Sequence, residues 1–243
     1  MIDRALTPGV EAERTVLVSE ETKPVRRPRR AEQRAETMEL ILDTAEELFS
    51  QHGLYGVTLK EVAKRVGVHH TLLNYYFADK KALFDAVFSR RAVVTSERRM
   101  KALADYEAAC GGKPTVEGAL HAFLDTDLDL YIEGGEGWRN YAKLGAQVAN
   151  TPEWGAELMD THFDPVVLRL IELLKRALPD CDERKIFWGY HFVTGSLMLT
   201  LARTGRIQTL GRDQPLGRFR RGQGTYGQVH GRRFPGNLPL SGH

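Results

Sequence analysis

Residues 58–84 read TLKEVAKRVGVHHTLLNYYFADKKALF and decide the fold. Thr58 is a suitable N-cap for a short helix, and Glu61, three residues later, completes a capping box. Gly67 provides the positive φ that a tight turn requires, and residues 69–76 form a second short segment. Two short helices joined by a glycine turn are typical of a helix-turn-helix.

Helical periodicity continues on both sides of this stretch. Before it, apolar residues from Met38 to Phe49 fall on one helical face, and Gly53 is predicted to end that helix. After it, Asp79 is predicted to cap a long helix that reaches Tyr106. No segment alternates convincingly as a β-strand does, so the sequence predicts an all-α fold.

The second half of the chain adds further helix signals. Starts are predicted at Thr115, after Gly134-Gly135, at Thr151-Pro152 and after Asp182. Asp164-Pro165 predicts a kink or a restart. Residues 186–201 are apolar nearly all round, which predicts a helix that is buried or lies at an interface.

The spaced residues of this region resemble the DNA-binding domain of the tetracycline-repressor (TetR) family of bacterial transcription regulators. The resemblance covers about residues 35–90, with two departures: His69 replaces the usual Ser or Thr cap, and Asn74 replaces a Tyr. It implies an N-terminal three-helix helix-turn-helix domain followed by an α-helical ligand-binding and dimerisation domain. The matching positions are Thr58, Val62, Ala63, Val66, Gly67, Val68, Leu73, Tyr76, Phe77, Lys80 and Leu83.

The resemblance also implies roles for individual residues. Asn is able to pair with adenine through two hydrogen bonds, and a Leu side chain suits the methyl group of thymine. Phosphate contacts position the protein and carry little sequence information. The base-reading positions are His70, Thr71, Leu72 and Asn74, and the phosphate positions are Thr58, Lys60, Tyr75, Tyr76 and Lys80.

Charge is distributed unevenly along the 243 residues, although the net charge is only +2. Basic residues are concentrated between Lys23 and Arg34 and again from Arg206 onward, which leaves an acidic body. A basic arm on an acidic body is common in DNA-binding proteins. The arm is predicted either to enter a minor groove or to be a solvated tail, through Arg26, Arg27, Arg29 and Arg30.

Residues 137–148 and 186–207 resemble a TetR subgroup in which some members sense fatty acids or acyl-CoA thioesters. Aromatic side chains in this half are candidates for an apolar ligand pocket, although aromatics at helical spacing also suit an ordinary core. After Ile207 the resemblance is predicted to end, and dimerisation is expected to depend mainly on residues 186–204. The pocket candidates are Phe123, Trp138, Tyr141, Trp188 and Tyr190.

The predicted organisation has four parts. Residues 1–29 form a flexible basic arm, 30–88 the helix-turn-helix domain, 89–207 the helical regulatory and dimerisation domain, and 208–243 a disordered or atypical tail. Two cysteines, the lack of a secretory signal and the absence of long apolar runs favour the cytoplasm, without a membrane partner.

The sequence therefore predicts a ligand-responsive transcription regulator, a repressor. It is expected to bind a pseudo-palindromic double-stranded DNA operator as a homodimer and to respond to a small apolar effector, with no cofactor, metal ligand or catalytic residue. An enzyme is the rival class, with Asp160, His162 and Asp164 as a metal-like cluster and His121 with Asp125 at i, i+4 as a second candidate. A third alternative is a small-molecule binding module without DNA function.

Overall fold

The structure, a computed structural model, describes residues 30–212; the arm 1–29 and the tail beyond Arg212 lie outside the described residues. Helices are the only regular elements within 30–212, and the all-α prediction is confirmed. None of these helices combines the length and the hydropathy that a membrane span requires. The helices are α1 Arg30–His52, α2 Leu59–Val66, α3 His70–Tyr76, α4 Lys80–Ala109, α5 Val116–Glu133, α6 Gly135–Ala149, α7 Pro152–Ala177, α8 Glu183–Ala202 and α9 Arg206–Leu210.

Side-chain caps begin four of these helices where the sequence predicts them. The capping box is present, since Thr58 Oγ1 accepts from the Glu61 amide at 3.2 Å and Glu61 Oε2 accepts from the Thr58 amide at 2.9 Å. Asp79, Thr115 and Asp182 cap α4, α5 and α8 in the same way. Each cap satisfies amides of a first helical turn that have no partner inside the helix.

The prediction of a restart at Pro165 is wrong. Helix α7 runs from Pro152 to Ala177 with Pro165 inside it. Phe163 and Val166, on either side of the proline, are both buried in the hydrophobic core. Packing therefore holds the helix together across a residue that locally disfavours it.

Two hydrophobic clusters hold the helices. The N-terminal cluster joins α1, α2, α3 and the first half of α4 to α6 and α7, and the C-terminal cluster joins the second half of α4 to α5, α6, α7 and α8. Helix α4, 30 residues long, contributes to both. The predicted boundary at residue 88 thus falls inside one continuous helix. Fully buried members are Phe49, Leu73, Phe84 and Leu144 in the first cluster and Leu103, Phe123, Leu170 and Leu197 in the second.

Helix α8 buries only part of its apolar surface. Ile186, Leu197 and Leu201 are buried against the C-terminal cluster. On the opposite side Trp188 is 61% exposed and Phe192 is 66% exposed. Since large apolar side chains on the outside of a protein mark contact surfaces, this face of α8 agrees with the predicted interface rather than the predicted core.

Candidate nucleic-acid interface and interior cavity

Helix α3 is fixed at both ends by short-range contacts. The preceding turn places Gly67 at φ 81°, and the amides of Gly67 and Val68 both donate to the Ala63 carbonyl at 3.0 Å. His69 acts as the N-cap, because its Nδ1 accepts from the Thr71 amide at 3.4 Å. The departure from Ser or Thr at this position therefore leaves the start of α3 intact.

The side chains of α3 divide sharply between inside and outside. Leu73 is fully buried in the N-terminal cluster, and Phe77 after the helix is also buried. His70, Thr71 and Asn74 are exposed on the opposite face. Leu72, predicted to lie on the exposed face, is only half exposed. Three of the four predicted base-reading side chains are thus exposed on a helix anchored by one leucine.

The residues predicted to contact phosphates differ in exposure, and Lys80 is half-buried. Thr58, Lys60 and Tyr75 are exposed, with Tyr75 at 81%, whereas Tyr76 is half-buried and packs on the N-terminal cluster. Tyr76 is therefore less accessible than the resemblance implies. Of the arm residues only Arg30 is described, and it is the first residue of α1 rather than part of an irregular arm. Arg26, Arg27 and Arg29 lie outside the described residues.

Tyr55 belongs to the same surface and was missed by sequence reasoning. Its ring is 78% exposed, and Lys80 Nζ lies 5.7 Å from the ring centroid and 3.5 Å from the Tyr55 carbonyl oxygen. A large exposed aromatic beside a lysine suits contact with a phosphate backbone. The sequence does contain a signal for this residue, namely a large aromatic side chain in the short loop between α1 and α2.

An interior cavity of about 640 Å³, its mouth included, lies between α4, α5, α6, α7 and α8. Four of the five predicted pocket aromatics line it: Phe123, Trp138, Tyr141 and Tyr190. Trp188 does not, because it projects outward from α8. Trp188 is therefore not part of this cavity. Because α8 is apolar nearly all round, its sequence does not show which of its faces meets the core.

A buried ion pair borders the cavity. Arg99 Nη2 lies 2.5 Å from Asp127 Oδ2, with side chains only 5% and 10% exposed. The Arg99 guanidinium carbon is 4.1 Å from the Phe123 ring centroid. Burial raises the pKa of Asp127 in spite of the nearby arginine, and the pKa of Tyr141 is raised mainly by its burial.

A second buried carboxylate connects the cavity wall to α1. Glu46 is 2% exposed and accepts from Arg91 through both oxygens, Oε2 at 2.5 Å and Oε1 at 3.0 Å. The Arg91 guanidinium lies 5.0 Å from the ring centroid of Trp138, which lines the cavity. A Cβ at Gly137 would come within 2.0 Å of Arg91 Nη2, so a larger residue there would push the Arg91 head group aside.

The cluster that favoured an enzyme does not converge. Asp160 and Asp164 are exposed, while His162 Nε2 lies 2.8 Å from Ser89 Oγ on α4. Burial lowers the pKa of His162. Between residues 30 and 212 no three His, Cys, Asp or Glu side chains lie together as metal ligands would.

The anchored helix α3, with its exposed polar face, is that of a helix-turn-helix DNA-binding protein. Residues 41–87 match a family model described as bacterial regulatory proteins of the tetR family, and residues 121–217 match one described as a tetracyclin repressor-like C-terminal domain. The chain belongs to the TetR family of transcriptional regulators, which are not enzymes. The second match continues beyond Ile207, so the predicted end of the resemblance there is wrong.

Curated relatives agree with this assignment. The chain is 22% identical to the HTH-type transcriptional regulator BetI of Escherichia coli O17:K52:H18 (strain UMN026) over 166 residues, 68% of this chain and 82% of that protein. It is 47% identical to the regulator RutR of E. coli K12 over 47 residues, 19% of this chain and 22% of that protein. The regulator AcrR of Shigella flexneri is 34% identical over 79 residues, 32% of this chain and 35% of AcrR.

A crystal structure with the same fold is that of a protein described as a transcriptional regulator from Pseudomonas aeruginosa PAO1. It superposes with a TM-score of 0.52 at 13% identity and covers 70% of this chain and 81% of that one. At this identity the likeness concerns the fold alone.

Proposed function

We propose that this TetR-family regulator is a cytoplasmic, homodimeric repressor that binds a pseudo-palindromic operator and is released from it by a small apolar effector. The observation that carries the proposal is the division of α3, in which Leu73 is fully buried while His70, Thr71 and Asn74 face solvent. A helix held by its inner face and polar on its outer face is suited to the major groove.

Reading of bases is assigned to the exposed α3 side chains. Asn74 is able to donate to and accept from one adenine, and His70 and Thr71 offer further donors and acceptors. Around them Thr58, Lys60, Tyr75 and Lys80 are placed for the phosphate backbone, which sets the register of the helix. Tyr55 joins this group because its ring lies beside Lys80.

Dimerisation through α8 is supported by its outer face. Trp188, Phe192 and Leu199 are exposed at positions i, i+4 and i+11, which share one side of a helix. Gly195 lies between them, and the space that a Cβ would occupy there has no other atom within 4 Å, so a second helix is free to approach. Ile207 and Leu210 of α9 extend the exposed apolar surface. A second copy of the chain covers such a self-complementary face and presents two α3 helices to one DNA duplex.

Coupling between effector and operator is assigned to the contact of Trp138, Arg91 and Glu46. Trp138 faces the cavity, Arg91 packs on its ring, and Glu46 belongs to α1 of the DNA-binding half. A molecule that displaces the Trp138 ring also displaces the partner of Glu46. Effector and operator then weaken each other's binding by the same factor, as linkage requires.

Selection of bound fragments from the native genome tests the function. The full chain is expected to enrich fragments with two inverted half-sites whose centres are about 10 base pairs, or one or more turns, apart. Fluorescence anisotropy with the enriched and a scrambled duplex then measures specificity. Equal affinity for both duplexes would contradict the proposal, and sedimentation of the free chain as a monomer at every concentration would contradict the homodimer.

A further inference from the structure

We propose that the cavity binds a ring-bearing apolar molecule with one neutral group that both donates and accepts hydrogen bonds, such as a carboxamide or an alcohol. The inference rests on the proposed role of the cavity as the effector site, and it names the chemical class of that effector. It departs from the acidic ligands that the subgroup resemblance implies, because the charges of the cavity do not favour them.

The shape and the lining of the cavity select an apolar ring system. The cavity lies between five helices, and Phe123, Trp138 and Tyr190 are among the residues that line it. Aromatic faces dominate the wall and favour flat ligands that stack or pack edge to face. The rings are those of Phe88, Phe123, Tyr131, Trp138, Tyr141, Phe163 and Tyr190.

Three buried polar atoms of residues that line the cavity are left without partners among the described residues: Arg99 Nε, Asp127 Oδ1 and Thr194 Oγ1. Arg99 and Asp127 are at least nine-tenths buried and meet each other only through Nη2 and Oδ2. Thr194 lies on α8 in the same stripe as Tyr190 and Met198, and all three side chains line the cavity. Buried polar groups are normally satisfied, so a set of three around one cavity indicates what the ligand supplies.

The three atoms require both kinds of hydrogen-bonding partner. Arg99 Nε needs an acceptor, Asp127 Oδ1 needs a donor, and the Thr194 hydroxyl takes either role. A carboxamide or an alcohol carries both functions in one small group. A carboxylate offers only acceptors, and an ammonium offers only donors.

The charges of the residues that line the cavity also favour a ligand with a neutral head group. Arg99 and Asp127 compensate each other, so an anionic ligand would add a buried negative charge beside Asp127 and a cationic one would add a positive charge beside Arg99. The aromatic faces best suited to a cation are already covered, since the Arg99 guanidinium carbon lies 4.1 Å from the Phe123 centroid and 5.9 Å from that of Phe163. A neutral head group leaves the pair undisturbed.

Four matched probes test the class by calorimetry on the full chain without DNA at pH 7.5: 2-naphthamide, 2-naphthoate, 2-naphthylmethylammonium and 2-methylnaphthalene. They share one ring system and differ in the head group. The amide is expected to bind at least about tenfold more tightly than each of the others, the gain from hydrogen bonds to buried charged groups.

Two variants and one control test whether the preference for the amide arises from the polar residues of the cavity. Thr194→Val keeps the shape and removes one hydroxyl, and it is expected to weaken 2-naphthamide about threefold to tenfold while leaving 2-methylnaphthalene unchanged. Thr200→Val is the matched control on α8, because the Thr200 hydroxyl donates to the Ser196 carbonyl and does not line the cavity. Asp127→Asn leaves Arg99 uncompensated, so the preference is expected to move to 2-naphthoate.

Each opposite result overturns the inference. Tighter binding of the carboxylate or the ammonium by the parent chain would reverse the charge argument. If 2-methylnaphthalene bound as tightly as 2-naphthamide, the head group would contribute nothing to the affinity. If no probe bound, the cavity would not accept a ring system. Because the assay contains no DNA, a chain that binds 2-naphthamide but no genomic fragment would contradict only the proposed function.

Discussion

The N-terminal and C-terminal clusters differ in how completely their buried carboxylates are hydrogen-bonded. They also differ in the side chains that their helices expose. In the first, both oxygens of Glu46 accept from Arg91, and α3 presents polar side chains to solvent. In the second, the pair of Arg99 and Asp127 has one contact and unpaired atoms, and α8 presents aromatic rings. Buried atoms without partners occur in both halves, since Arg90 Nε beside Glu46 also has none among the described residues; the second pair differs in that its residues line a cavity.

The largest expected effect follows from removing the satisfied carboxylate. Glu46→Ala is expected to lower the free energy of unfolding by about 3 kcal/mol, at the lower end for a broken buried pair because the side chains of Arg90 and Arg91 remain about one-fifth exposed. Denaturant unfolding measures it. Glu39→Ala, which removes an exposed partner of Arg90, is the control and is expected to cost less than about 1 kcal/mol.

The contrasting double variant Arg99→Met with Asp127→Leu replaces the under-satisfied pair by apolar side chains. Its stability is expected to be unchanged or higher, because the desolvation of both charges is avoided. A loss as large as that of Glu46→Ala would mean that the two carboxylates play the same structural part.

The apolar face of the C-terminal half provides the second test. Trp188→Asp is expected to weaken the dimer by at least about 30-fold, the effect of losing an interface anchor of about 2 kcal/mol. Sedimentation over a concentration series measures the equilibrium. Leu168→Asp, at an exposed leucine of α7, is the matched control, and an equal loss of dimer in both variants would place the interface elsewhere.

The polar face of the N-terminal half is tested by Asn74→Ala. The variant is expected to lose about 1–3 kcal/mol of discrimination at one base pair in each half-site, because one two-bond contact to a base is removed. Anisotropy titrations against every single-base operator variant measure this. Unchanged preferences at all positions would remove Asn74 from the base-reading set.

Lys80→Ala is expected to weaken binding to all DNA sequences about equally and to reduce the salt slope by about one unit, since one phosphate contact is lost. Titrations at several salt concentrations measure the slope. Lys101→Ala, further along α4 and paired with Asp105, is the control that leaves the slope unchanged. A changed sequence preference with the slope intact would make Lys80 a base-reading residue.

The smallest effect concerns pH. Because the pKa of His162 is lowered in the folded chain, the fold favours the neutral ring; this stability is present above the ordinary pKa of 6.5 and is lost as the pH falls through the lowered value. Between pH 7.5 and 5, the Tm of the parent is expected to fall more than that of His162→Gln. The difference stays below the roughly 2–4 °C that 1 kcal/mol gives at this size.

An identical fall in Tm for His162→Gln and the parent would mean that His162 does not titrate differently in the folded and unfolded chains.

Local signals predicted most of the fold. Caps at Thr58, Asp79, Thr115 and Asp182 act within a few residues, so the sequence alone was sufficient to place these helix starts. The restart predicted at Pro165 does not occur, because packing on both sides outweighs a local preference.

The candidate site was only partly predictable. The exposed face of α3 follows from one spaced pattern, and three of the four side chains predicted to contact bases are exposed. The pair of Arg99 and Asp127 joins α4 to α5, and Glu46 meets Arg91 across 45 residues, so no local spacing reveals either contact. The outward direction of Trp188 depends on which face of α8 meets the core, and a helix that is apolar all round does not encode that choice.

Under the proposed function, helix α4 transmits movement from the cavity to the helix-turn-helix. Lys80 begins it beside the DNA-facing surface and Arg99 borders the cavity, which puts the two residues roughly 28 Å apart along the axis at 1.5 Å per residue. With Arg99 as the pivot, each degree of tilt moves Lys80 by roughly 0.5 Å over that length. In a dimer the two α4 helices swing in opposite senses, so a tilt of a few degrees changes the separation of the two α3 helices by several ångströms. Under the proposed function, a ligand bound between the five helices would change a spacing that must match one turn of DNA.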